Sequence, residues 1–335
     1  MRPPFELRPE GLYCPPGDFY IDPVLPVAQA VLTHAHGDHA RPGSARYHCA
    51  APGLGLLRWR LGEQCFDAHA YGESFALGRA RVSLHPAGHI LGSAQVSIES
   101  GGRRWVVSGD YKRAPDPTCE AFEPVRCDGF LTEATFALPV YRWPAVAEVV
   151  GEIVGWWRDA AARGDAAVLF CYALGKAQRI LAELARWPAR DLPASMAWLH
   201  GAMLEPTRLY REAGAVLLPT QAVVGDEARR DFAGQLVLAP PSAMGSPWLK
   251  RMGPQSAGYV SGWMRLRGNR RRRNVDRGFV LSDHADWPGL LRSIADTGAR
   301  EVLATHGDSH ALVRWLRERG TDAGELRVGY EGDDA

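Results

Sequence analysis

The stretch VLTHAHGDHA, Val31 to Ala40, places three histidines and an aspartate between His34 and His39 in a chain with only 11 histidines. An apolar run precedes them and reads as a strand. On a continuing strand His34 and His36, two residues apart, point the same way, while Asp38 and His39 come round only through a turn at Gly37. Such a loop can offer two nitrogen ligands to one ion and an oxygen plus a nitrogen to another. Imidazole suits zinc, with manganese or iron open where oxygen ligands are added.

One loop does not complete two coordination spheres, so further ligands must come from elsewhere. PAGHILGSA offers His89, VVSGDYK offers Asp110 after Gly109, VLSDHADW offers His284 and LATHGDSH offers His306. An aspartate at the end of a strand has two oxygens and can bridge two ions, although the same position also suits a turn or a cap. There is no Gly-x-Ser-x-Gly elbow and no phosphate-cradling loop ending in Gly-Lys-Ser/Thr, so nothing else in the chain competes as the nucleophile.

These residues need elements to hold them. The first third reads as short strands (FELRPEGLYC, AQAVLTH, ARVSLHPAGH, SAQVSIES, RRWVVSGD, GFLTEAT), each with its reactive residues just past the apolar part. From Ala145 the pattern changes: Val146, Val149, Val150, Ile153, Val154 and Trp157 recur at helical spacing up to Gly164. Strands and helices then alternate, as in a parallel sheet flanked by helices. The two ends of the chain share one chemical style, which predicts an α/β protein with an outer domain of residues 1–140 and 275–335 and an inserted domain of residues 141–274.

Composition sets wider bounds. A hydrophobic content of 46% and a charged content of 23% over 335 residues are ordinary globular values, and the net charge of +1 gives no global sign of a polyanionic partner. The local run Arg270 to Arg273 is densely basic and could steer a nucleic acid. Six cysteines without knuckle spacing predict reduced thiols rather than a disulfide frame. The opening MRPPFELRPE has no apolar signal core, and no apolar stretch could span a bilayer, so a cytoplasmic protein without membrane partners is expected.

His-Ala-His-Gly-Asp-His, then His89, then Asp110, resembles the ordered motif set of the metallo-β-lactamase fold. Glu133 in LTEATFA, His284 in LSDHADW and His306 in LATHGDSH look like those of its β-CASP nuclease branch. FCYALGKAQRI and LAPPSAMGSPWLKRM are similar to parts of the inserted β-CASP module. The compact length and the opening GLYCPPGDFYIDP look most like the bacterial ligase-associated DNA exonucleases.

The resemblance implies an αββα sandwich carrying an inserted α/β domain. It makes His34, His36 and His89 ligands of one divalent cation and Asp38, His39 and His306 ligands of a second, with Asp110 bridging; zinc is expected, or manganese. Asp38, Glu133 and His284 enter as catalytic residues, with His284 protonating the leaving oxygen and Glu133 orienting it, while Asp22 supports the first loop. Two ions about 4 Å apart would ionise water and clamp a phosphodiester.

The expected activity is therefore a 5′ to 3′ DNA exonuclease of repair, acting on single strands or strand ends with metal-activated hydroxide as nucleophile. Its expected partners are a DNA ligase and a helicase of the same pathway. An RNA-processing β-CASP ribonuclease is the alternative, followed by a small-molecule metallohydrolase and a catalytically silent scaffold. Lys176 and Arg179, one helical turn apart, together with Ser242 and Ser246, are candidate contacts to substrate phosphates.

Overall fold

The computed structural model describes residues 3–223, 231–266, 268 and 275–326. The Arg270 to Arg273 run lies outside the described residues. Two compact units divide the chain, Met1–Arg142 with His284–Ala335, and Trp143–Asp283.

The first unit holds two mixed sheets. In one, Glu6–Arg8, Gly11–Cys14, Phe19–Ile21, Gln29–Val31, Arg46–Ala50 and Phe66–His69 lie side by side in chain order. The other has seven strands, ordered Asp322–Glu325, Glu301–Thr305, Gly129–Glu133, Arg103–Val107, Ala94–Ser100, Ala80–Pro86 and Ser74–Leu77. One apolar core serves both: Leu12, Phe19, Ile21 and Val31 from the first sheet meet Val82, Leu84, Val96, Ile98 and Trp105 from the second. Val106, Phe130, Val302 and Ala304 instead join the apolar faces of helices Trp287–Thr297 and His310–Arg317.

Strand direction gathers the polar residues at one end. Arg103–Val107, Gly129–Glu133 and Glu301–Thr305 are parallel, and two successive antiparallel pairings turn Ala80–Pro86 the same way. Hence His89, Asp110, Glu133 and His306 all follow or end strands at the same edge. Phe19–Ile21 and Gln29–Val31 are also parallel, which puts Asp22 and His34 at a common end of their own sheet. A hydrogen bond from Ala94 N to Thr33 O, 2.7 Å, joins the two edges.

The second unit is a six-stranded, wholly parallel sheet in the order Thr220–Ala222, Ala197–Leu199, Leu236–Ala239, Ala166–Phe170, Gln255–Val260, Arg277–Phe279. Its two central strands, Ala166–Phe170 and Leu236–Ala239, are fully buried apolar runs, as strands covered on both faces require. Helix Val146–Ala162 buries Val149, Val150, Ile153, Val154, Trp156, Trp157 and Ala160. The unit runs past Asn274 to Asp283 because Arg277–Phe279 pairs with Gln255–Val260, which moves that segment out of the outer domain expected from sequence. No described helix is long and apolar enough to cross a membrane.

His48, in the middle of strand Arg46–Ala50, gives this fold a pH signature. Burial pushes its pKa down to about 4, against a smaller opposing pull from Asp67, and its Nδ1 lies 3.2 Å from His69 Nε2. The unfolded chain takes up this proton near pH 6.5 and the folded protein only near 4, so the unfolded state binds more protons in between. The contribution of His48 to stability is complete above 6.5 and declines as pH falls towards 4. Urea midpoints measured across that window should fall less steeply in His48→Gln than in the unsubstituted protein; equal slopes would remove His48 as the cause.

Candidate metal centre

The Val31–Ala40 segment leaves its strand at Leu32, whose amide donates to His48 O, and closes on itself where Ala40 N donates to His36 O at 2.8 Å. The turn expected at Gly37 forms without a left-handed backbone there. Gly109 is the residue that needs one: its φ is +55°, and a Cβ would lie 2.8 Å from that of Thr33. Glycine thereby lets the Asp110 loop sit directly against the histidine loop.

His34, His36, His89 and Asp110 each offer one ligand atom, all lying within 4.8 Å of one another. His36 Nδ1 is 3.1 Å from His34 Nε2 and 3.1 Å from His89 Nε2. Asp110 Oδ2 is 3.5 Å from His39 Nε2, 3.6 Å from His34 Nε2 and 3.8 Å from His89 Nε2. Asp110, Glu133 and His284 make a second group of the same kind.

Asp22 and Thr33 set the tautomers. Asp22 Oδ1 accepts from Thr33 N at 2.7 Å, and its Oδ2 accepts from Thr33 Oγ1 at 2.5 Å and from His39 Nδ1 at 2.8 Å. Having donated its proton, Thr33 Oγ1 is left to accept from His34 Nδ1, 3.0 Å away. The Nε2 lone pair of His34 then faces His36 and Asp110, and His39 likewise turns Nε2 towards Asp38 and Asp110. Thr33 escaped the sequence reading; its signal is a hydroxyl at the end of a strand, immediately before the first ligand.

Charge is distributed accordingly. Burial drives His34 well below the usual histidine range, so its ring is neutral, and burial also lowers His306. Burial alone would lower His39, but Asp110 and Asp22 outweigh it and hold its pKa well above the usual range. Burial would raise Asp110, yet His39, then His284 and His34, keep it well below the usual carboxylate range. A proton on His39 thus balances the buried Asp110 carboxylate; a cation held there would have to displace that proton, so its binding would strengthen as pH rises.

The residues fit a cation on two counts. Three ring nitrogens converge on one spot, where a single shared proton cannot satisfy every lone pair. Asp38 Oδ1 is also buried with no hydrogen-bond partner. Asp38 Oδ2 lies 3.5 Å from His39 Nε2, and the His306 ring is 5.7 Å from that of His39, so these three gather beside the tight group rather than within it. His306 has φ +60°, and a Cβ on the following Gly307 would lie 2.5 Å from Ala134 O.

His284 Nδ1 is 2.8 Å from Glu133 Oε2, which also accepts from Thr135 Oγ1 at 2.6 Å, while Glu133 Oε1 accepts from Tyr111 N at 2.7 Å. Lys176 and Arg179, expected as substrate contacts, have partners within their own unit. Both side chains are buried on Asp283: Lys176 Nζ is 2.7 Å from Oδ2, and Arg179 Nη1 is 3.1 Å from Oδ1 and 2.6 Å from Ser282 O. Ser242 is exposed, and the hydroxyl of Ser246 is buried with no hydrogen-bond partner.

In this α/β protein the strand ends converge imidazoles on a buried carboxylate, a group that could hold a divalent metal ion. The chain resembles the β-CASP nuclease branch of the metallo-β-lactamase fold, and its relatives fit that resemblance. It is 31% identical over 316 residues to a probable DNA ligase of Opitutus terrae, covering 93% of this chain and 30% of the relative. It is 28% identical to the endoribonuclease YSH1 of Gibberella zeae, covering 34% of this chain and 14% of the relative. The transcription termination factor FttA of Methanosarcina mazei is 29% identical, with 39% of this chain and 21% of the relative covered. The chain thus spans less than a third of the length of each of these relatives. No family model matches. A crystal structure of a protein of unknown function from Enterococcus faecalis V583 shares the fold, with a TM-score of 0.56 and 11% identity over 89% of this chain and 78% of the other.

Asp22→Asn and Thr33→Val each break the relay that aims His39 and His34. Either should weaken zinc binding about 10- to 100-fold in competition with a chromophoric chelator, with the far-ultraviolet circular dichroism unchanged. Undiminished affinity in both would show that the relay does not orient the ligands.

Proposed function

We propose that this chain is a metal-dependent DNA phosphodiesterase, a 5′ to 3′ exonuclease of DNA repair. The observation that carries the reading is the His34, His36, His89 and Asp110 group, with the His284–Glu133 pair built onto the same carboxylate. A match over 93% of the chain to a relative named as a DNA ligase favours DNA and ligation-linked repair, with a ligase and a helicase as partners. The polarity follows from the motif resemblance. In this reading Trp143–Asp283 is the inserted β-CASP domain, and the two sheets with their helices form the metallo-β-lactamase sandwich.

His34, His36 and His89 would hold one divalent cation and Asp38, His39 and His306 a second, with Asp110 shared between them. Bound there, zinc or manganese supplies Lewis acidity that lowers the pKa of water and neutralises phosphodiester charge. The remaining steps fall to the protein. Glu133, fixed by Tyr111 N and Thr135 Oγ1, accepts from His284 Nδ1 and turns Nε2 outward. A proton on that nitrogen passes to the departing sugar oxygen, and the Glu133 carboxylate stabilises the imidazolium beforehand.

An RNA substrate is the second reading, favoured by the relatives named as endoribonucleases and by the presence of His306. Metal-loaded protein incubated with end-labelled single-stranded DNA, duplex DNA and RNA, with and without a 5′ phosphate, separates the two. A mononucleotide ladder from DNA alone is expected, and cleavage of RNA alone would overturn the DNA reading. His36→Ala and Asp38→Ala should abolish turnover. His284→Ala should lower kcat about 10²- to 10⁴-fold with metal content intact; near-normal kcat would deny His284 its role as proton donor.

A further inference from the structure

Lys112 lies two residues beyond Asp110, and its side chain is only 1% exposed. Its ammonium donates to the main-chain carbonyl of His89 at 2.8 Å and pairs with Asp116 Oδ2 at 2.7 Å. Asp116 is itself fixed, since its Oδ1 accepts from Thr118 N at 2.8 Å and from Thr118 Oγ1 at 2.6 Å. The backbone makes the same junction: Lys112 N donates to Ala87 O at 3.3 Å. Gly88, at φ +73°, sits so close that a Cβ would lie 2.8 Å from Lys112 O. On the other side of the loop, Ser93 Oγ accepts from His89 N at 3.0 Å and from Ile90 N at 3.2 Å.

We propose that Lys112 and Asp116 form a buried ion-pair clip that positions His89, locking its loop to the Asp110 loop and so setting the spacing of the metal group. The inference rests on the metal reading above. A buried ion pair adds little stability over apolar side chains of similar volume, because desolvation offsets the attraction. What an apolar pair cannot provide here is a donor for the His89 carbonyl. Without that donor the loop can relax, and displacement of the His89 nitrogen by a fraction of an ångström disturbs a site whose nitrogens sit 3.1 Å apart. Lys112 and Asp116 are buried and direct these contacts into the protein, so both are positioning residues.

The test separates positioning from plain stability. Lys112→Met and Asp116→Asn each strand a buried charge and should lower the thermal midpoint of the metal-free protein. The double variant K112M/D116N strands none and should recover most of that midpoint. Its zinc affinity, from chelator competition, should stay about tenfold or more below that of the unsubstituted protein. Thr118→Val, which only loosens Asp116, should weaken binding two- to threefold and supplies the answer if the larger changes fail to fold. Affinity in the double variant, or in Thr118→Val, equal to that of the unsubstituted protein would overturn the clip. Unsubstituted protein that takes up no zinc or manganese would instead overturn the metal reading.

Discussion

A carboxylate removed from water needs positive charge close by, and Asp110 imposes that requirement on everything around it. It is buried at a strand end, with three imidazole nitrogens between 3.5 and 3.8 Å from one of its oxygens. Those imidazoles come from two separate stretches of chain, and each is aimed by partners of its own: Thr33 for His34, Asp22 for His39, Ser93 and Lys112 for the His89 loop. The co-directional strands explain why such distant segments meet at one edge. The left-handed glycine at 109 explains why they meet so closely.

The cluster of candidate ligands was readable because its residues lie close in sequence and follow apolar runs; His34 to His39 fall within six neighbours of one loop. The alternation after Ala145 was readable too, since helix Val146–Ala162 carries strong helical periodicity and strand Ala166–Phe170 is an unbroken apolar run. Helix Leu54–Leu61 was not. Its sequence LGLLRWRL does not segregate apolar from polar faces, although Leu56, Leu57 and Leu61 are buried.

The residues that support the site were largely hidden for a different reason: their roles depend on partners far along the chain. Lys112 looks like an ordinary surface lysine until His89 is placed above it. Lys176 and Arg179 read as phosphate contacts because two cations one helical turn apart usually face solvent. Their actual partner, Asp283, is more than a hundred residues away in sequence, and pairing with it satisfies both charges internally. Spacing along a chain reveals which groups could act together, but it does not reveal which opposite charge has already claimed them.

His306 carries a cost that the other candidate ligands do not. A side chain other than glycine at φ +60° is disfavoured by about 1 kcal/mol or more, and the adjoining Gly307 packs against Ala134 too tightly for the chain to relax. Glycine at 306 would relieve that strain while deleting the imidazole. Ease of the backbone and the ring nitrogens offered beside Asp38 and His39 thus pull in opposite directions at this one position.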